Sequence, residues 1–157
     1  MKLTAAIVDD VAQARATLKE DLAAYCPDIE IIGEADGVVT GSKLLNKIKP
    51  DVVFLDIQLQ DGTGFDILEI LGDISFQVIF TTASDEFAIK AFKFSAVDYL
   101  LKPVDPDELI LAVQKIYKEK SNSTRIFAKS FIKNIFSNGT LLKSGFKLMR
   151  KIRYLNY

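Results

Sequence analysis

The sequence predicts an α/β fold, a doubly wound parallel sheet of five strands flanked by helices. Three observations carry this reading. Short apolar segments alternate with helical patterns through residue 120. Such alternation implies right-handed crossovers and a parallel sheet covered on both faces. The runs Val52-Val53-Phe54-Leu55 and Val78-Ile79-Phe80 are apolar without interruption, as expected of strands buried on both sides.

The elements follow in order. Residues 3–10, LTAAIVDD, read as a strand running into two acids. Residues 11–25 contain no Gly or Pro, and Val11, Ala14, Leu18, Leu22 and Tyr25 recur at helical spacing, giving an amphipathic helix that stops before Pro27. A second strand spans 29–36, and a helix over 41–50 ends at Pro50. The third strand is 52–57. A short helix over 65–72 ends at Gly72, after the turn Asp61-Gly62-Thr63-Gly64, which lacks the length and the lysine of a P-loop. Strand 77–83, helix 85–94, strand 97–102 and helix 105–120 complete five strand-helix pairs.

At 157 residues the chain fits one compact domain with a little to spare. Its apolar and charged fractions are ordinary for a soluble globular protein. Charge returns at Asp9, too soon for a signal peptide, and no apolar stretch approaches the roughly 18 residues of a membrane span. A cytoplasmic location without membrane attachment is therefore expected. The single cysteine, Cys26, excludes an intrachain disulfide and most cysteine-based metal sites, and reads as a small buried hydrophobe at a helix end. The chain has no histidine, which excludes Ser-His-Asp and Cys-His catalysis, His-ligated zinc and phosphohistidine chemistry on the chain itself. The net charge of −1 conceals an asymmetry. Residues 1–119 hold 11 Lys/Arg against 21 Asp/Glu, and residues 120–157 hold 9 Lys/Arg and no acid. Two segments of different character are implied, 1–120 and 121–157.

In open parallel sheets, ligands bind beyond the carboxyl ends of the strands. There the first strand ends in Asp9-Asp10, the third in Asp56, the fourth in Thr81-Thr82, and the fifth leads to Lys102-Pro103. Gathered carboxylates raise one another's pKa unless a cation sits among them. Mg²⁺ suits two or three carboxylates, a carbonyl such as that of Gln58, and waters. A lysine and a hydroxyl opposite the acids make sense if an anion arrives, and with Mg²⁺ nearby that anion is best read as a phosphoryl group. Taken singly, Asp56 is also compatible with a solvated loop, and Asp9-Asp10 with capping of the helix that follows.

The fragments IVDD, VVFLDI, TTAS and DYLLKP stand in the order and separation of the receiver domain of two-component response regulators, which residues 1–120 resemble. Within that family the likeness is greatest to receivers of the LytTR class, through VIFTTASDEFAIKAF and FSAVDYLLKPVD. The resemblance implies a flavodoxin-like strand order 2-1-3-4-5 and a phosphorylation-dependent switch. It implies Asp56 as phosphoryl acceptor, Asp10 as main Mg²⁺ ligand with Asp9 in support, and the Gln58 carbonyl completing the set. Thr82 and Lys102 would contact the phosphoryl group, Thr82 and Tyr99 would form the switch, and Gln58 and Ser84 would tune dephosphorylation. The Lys102-Pro103 bond would be cis. A histidine kinase or phosphotransfer protein would be the donor, and the 85–118 face a possible homodimer surface. Such a domain catalyses its own phosphorylation and dephosphorylation without being a turnover enzyme. Many receivers place a proline four residues after the acceptor; here Gln60 stands there, and the loop is expected to be more mobile.

Three other readings compete. A phosphatase of the haloacid-dehalogenase kind needs a second acid two residues after the nucleophile, where this chain has Gln58. A protein-binding module with a silent acceptor would act without phosphorylation. A DNA-binding regulator would act through residues 121–157. LytTR-class regulators carry a DNA-binding domain of roughly a hundred residues after the receiver, which the basic, Phe- and Tyr-containing ending does not resemble. It reads as a truncated or non-native output segment, with DNA or an acidic surface as possible partners.

Overall fold

The structure is a computed structural model in which residues 2–121 are described. The elements are β1 (Leu3–Val8), α1 (Ala12–Tyr25), β2 (Ile29–Ala35), α2 (Val38–Ile48), β3 (Val52–Leu55), β4 (Gln58–Leu59), β5 (Gly62–Thr63), α3 (Gly64–Leu71), β6 (Gln77–Thr82), α4 (Ala88–Lys93), β7 (Asp98–Leu101) and α5 (Pro106–Ser121). Five of the strands form one parallel sheet in the order β2-β1-β3-β6-β7. Counting only those five, this is the expected order 2-1-3-4-5.

Both faces of the sheet are covered, which explains the uninterrupted apolar strands. Val53 and Leu55 point to one face with Phe80, Leu45, Phe65 and Ile67, under α2, α3 and α4. Val52 and Phe54 point to the other with Ile79, Leu22, Leu109 and Ile116, under α1 and α5. Under α4 the aromatic rings cluster. Phe65 lies 5.1 Å from Phe80 and 5.2 Å from Phe94, centroid to centroid, and the Lys90 ammonium sits 4.6 Å above its ring. Cys26 caps the end of α1 and is buried, as expected.

Several boundaries differ from expectation, and those of the second and fourth helices have clear physical reasons. The second helix begins at Val38 rather than 41, because its free N–H groups find an acceptor far away in the chain, the Asp61 carboxylate. It stops at Ile48, with Lys49 in the left-handed region before Pro50. The fourth helix is shorter than 85–94, because residues 84–87 form a turn in which the Ser84 hydroxyl accepts from the Glu86 N–H. Residues 58–63, expected as loop, pair as a small antiparallel hairpin, Gln58 opposite Thr63 and Leu59 opposite Gly62. In α1, Leu18 and Leu22 are buried but the predicted end positions Val11 and Tyr25 are about half exposed.

Candidate functional site

Strand register brings the site together. Leu55 pairs with Val8 on one side and Phe80 on the other, so Asp9 and Asp56 leave the sheet at one level, beside Thr81 of β6. Thr82 pairs with Leu101, and the Lys102 N–H donates to the Thr82 carbonyl at 2.8 Å, which sets the lysine over the same rim. The Lys102–Pro103 peptide is cis.

The apolar strand β3 runs into the carboxylate of Asp56, and the charge is compensated by Lys102. Asp56 is 5% exposed and Asp9 is 3% exposed. The Lys102 Nζ lies 2.6 Å from Asp9 Oδ2 and 3.0 Å from Asp56 Oδ2, one ammonium shared by two buried carboxylates. Paired buried charges are tolerated where lone ones are not. Burial still pushes the Asp56 carboxyl up, and the pull of Lys102 does not fully offset it. The like charge of Asp9 adds less than burial does, so repulsion between acids is the smaller cause. For Lys102, burial pulls down, but hydrogen bonds to Asp9 and Asp56 hold it above its ordinary value.

One carboxylate oxygen from each of Asp9, Asp10 and Asp56 lies within 4.8 Å of the others. Asp9 Oδ1 also accepts from the Val11 N–H at 2.9 Å, so Asp9 fastens the chain entering α1, although Val11 itself is the N-cap and offers no side-chain bond. The Arg15 guanidinium holds the Asp9 carbonyl at 2.7 Å. Asp56 Oδ1 accepts a long bond, 3.3 Å, from the Gln58 N–H. Gln58 itself is exposed at the mouth of the site. Three carboxylates facing one ammonium leave the rim short of positive charge, which is a chemical invitation to a divalent cation.

Thr82 is fully buried, and its hydroxyl accepts from the Ser84 N–H at 3.5 Å. The Tyr99 ring is 8% exposed and stands inward against Phe80, and its hydroxyl donates to the Ser84 carbonyl in a short hydrogen bond. Thr82 and Tyr99 therefore hold the same residue, Ser84, from two sides. Burial raises the Tyr99 phenol well above its ordinary value, so it stays a donor.

Sequence reasoning missed two positions. Gly64 is pressed against the backbone of Asp56; a Cβ there would lie 2.4 Å from the Asp56 carbonyl oxygen. Asp61 ties the hairpin after Asp56 to α2. The glycine was visible only as a turn residue, and the tie spans 23 positions, beyond any local pattern. Among the described residues no helix is long and apolar enough to cross a membrane. The expectations for residues 121–157 as an output segment and for DNA binding lie outside the described residues.

Comparison with known proteins agrees with the fold. The chain is 46% identical over 122 residues to an uncharacterized response regulatory protein of Vibrio vulnificus, covering 77% of this chain and 50% of that one. It is 43% identical over 118 residues to the sensory transduction protein LytT of Bacillus anthracis, covering 74% and 48%. The chain thus spans about half the length of these curated relatives. The structure resembles the response regulatory domain of mrkE from Klebsiella pneumoniae, with TM-score 0.68 and 28% identity over 76% of this chain and 98% of that domain. Residues 5–114 match the response regulator receiver domain, and by that match the chain belongs to the receiver family of two-component signalling.

Proposed function

We propose that this chain, as a receiver domain, is a phosphorylation-dependent signalling switch that works with a histidine kinase or phosphotransfer protein and binds Mg²⁺ at its acidic pocket. We propose that Asp56 is the phosphoryl acceptor of this chain, with Asp10, Asp9, Asp56 itself and the Gln58 carbonyl holding the ion. The observation that carries the reading is a buried carboxylate at the end of β3, paired to Lys102 and set within 4.8 Å of two more carboxylates. The donor set is all oxygen, and Asp10 lies at the partly open edge, which fits a hard cation that keeps several waters. When bound, Mg²⁺ supplies positive charge that lets an anionic phosphoryl group approach three acids.

The chain's own groups then divide the work. An Asp56 carboxylate oxygen attacks phosphorus as the bond to the donor's leaving group breaks, and an aspartyl phosphate forms. Lys102 leaves its pairing with Asp56 Oδ2 and pairs with a phosphoryl oxygen, while Asp9 keeps it aimed. The Thr82 hydroxyl turns from Ser84 to another phosphoryl oxygen. Because Tyr99 bonds the Ser84 carbonyl, that movement is transmitted to the turn before α4. Gln58, whose N–H bonds Asp56 Oδ1, and Ser84, whose N–H bonds Thr82 Oγ1, tune the rate of dephosphorylation.

The donor is a phosphohistidine on a separate protein, since this chain has no histidine. An apolar groove of about 280 Å³ beside the site, lined by Val11, Ala14, Leu18, Lys102 and Pro103, offers that protein a seat. The 85–118 face, with Phe92 and Leu111 partly exposed, is the proposed homodimer surface. Unchanged elution volume on phosphorylation would count against dimerisation there.

Intact-mass measurement after incubation with acetyl phosphate and Mg²⁺ tests the acceptor. A single phosphate on the wild type, absent in Asp56→Asn and abolished by EDTA, is expected. A wild type without adduct across several donors would reduce the domain to a phosphorylation-independent binding module.

A further inference from the structure

The segment that leaves Asp56 is held at both ends. At its far end the Gly64 N–H donates to the Ile57 carbonyl at 2.8 Å, with Gly64 seated on the Asp56 carbonyl. Between them lies the hairpin β4–β5, only two residues per strand. A ribbon that short is not stable on its own and takes its shape from what it is tied to. The tie is Asp61, at the hairpin tip. Its Oδ1 accepts from the Val38 N–H at 2.7 Å and its Oδ2 from the Val39 N–H at 3.1 Å. Gly37, the N-cap of α2, provides no side-chain bond, so Asp61 supplies the cap the helix lacks.

The glycines around the tie are shaped to it. A Cβ on Gly37 would lie 2.7 Å from Asp61 Oδ1. Gly62 has a φ of 149°, which other residues rarely adopt, and a Cβ there would lie 3.0 Å from Val38 Cγ2. The two helix N–H groups also hold the Asp61 carboxyl below its ordinary range.

We propose that Asp61 is a positioning residue for the phosphoryl-accepting site: by pinning the hairpin tip to the start of α2 it fixes the backbone of Gln58, and so the carbonyl offered to the metal. The inference rests on the reading of Asp56, Asp10 and Gln58 as the Mg²⁺ and phosphoryl site. It assigns no chemistry to Asp61, whose carboxylate accepts from the Val38 and Val39 N–H groups of α2. It also gives the loop at Gln60, expected to be more mobile, an anchor in the residue that follows.

The test uses the full chain and Mg²⁺ alone, followed by backbone amide NMR shifts of residues 55–60. Asp61→Ala is expected to weaken Mg²⁺ binding roughly tenfold, as loss of groups that orient metal ligands does, while the cooperative melt is retained. A rescue variant separates positioning from general damage. Gln60 is not among the residues with positive φ, and Leu59 before it is in a strand, so the first turn position accepts proline. Gln60→Pro placed in the Asp61→Ala chain stiffens the turn and is expected to restore most of the affinity. Unchanged Mg²⁺ affinity in Asp61→Ala, or a loss that Gln60→Pro leaves in place, would overturn the proposal. Wild type that binds Mg²⁺ but takes no phosphate from acetyl phosphate would defeat the acceptor reading alone, with Asp61 still judged by the metal. Wild type that binds no Mg²⁺ would overturn both.

Discussion

At the scale of single residues, Asp56 is a compromise between burial and chemistry. Burial favours its neutral form, so the charged carboxylate costs the fold something that an amide would not. Asp56→Asn is expected to stabilise the domain by about 1 kcal/mol, a Tm rise of about 4 °C, while abolishing the phospho-adduct. Lys102 is the reverse case. Its replacement by Met leaves two carboxylates facing each other, and is expected to cost about 1–3 kcal/mol. Adding Asp56→Asn to Lys102→Met should recover part of that loss in a denaturant melt; no recovery would mean the pair is not coupled as described. Glu119 carries a separate pH signal. Burial, with Asp98 nearby, pushes it up to about 7, against the relief of Lys115, and it accepts from Gln77 Nε2 at 3.1 Å. A raised carboxyl binds its proton more tightly folded than unfolded. Its contribution is therefore fully present below the ordinary 4.5 and is lost as pH rises towards 7. Between pH 5 and 7.5 the Tm should fall less in Glu119→Gln than in the wild type.

At the scale of elements, the connection from β3 to α3 is held by several ties. Gly64 opens α3, whose capping box joins Thr63 and Asp66. Gly64→Ala forces a Cβ into the Asp56 carbonyl, a backbone atom that cannot swing away. The expected cost is about 1–3 kcal/mol together with slower adduct formation. Gly72→Ala is the contrast: φ is +67° but no atom lies within 4 Å, so stability falls and the adduct rate does not. Equal adduct rates in the two variants would detach Gly64 from the acceptor. Elements governed by local pattern were legible in the sequence, as β3 and α5 show. The start of α2 and the hairpin at 58–63 were not, because both depend on Asp61 reaching a helix that local spacing does not place beside it.

At the scale of the whole molecule, the acidic segment and the basic one are chemically distinct, and the receiver match ends at residue 114. Removal of 122–157 is therefore expected to leave the cooperative melt and Asp56 phosphorylation intact while lowering the isoelectric point. Loss of the melt in circular dichroism would show that the fold needs that segment. A salt-sensitive shift of duplex DNA, lost with the same deletion, would instead give the basic segment an output role.

The sequence by itself determined the architecture and the membership of the rim. Apolar strands buried on both faces announce a parallel sheet, and acids, threonines and a lysine at strand ends mark the edge where a ligand binds. Tertiary structure alone decided who pairs with whom. That Lys102 bridges Asp9 and Asp56, that Tyr99 stands inward on Ser84 and that Asp61 caps α2 depend on register and crossover. These set distances between residues far apart in the chain, and no local spacing encodes such distances.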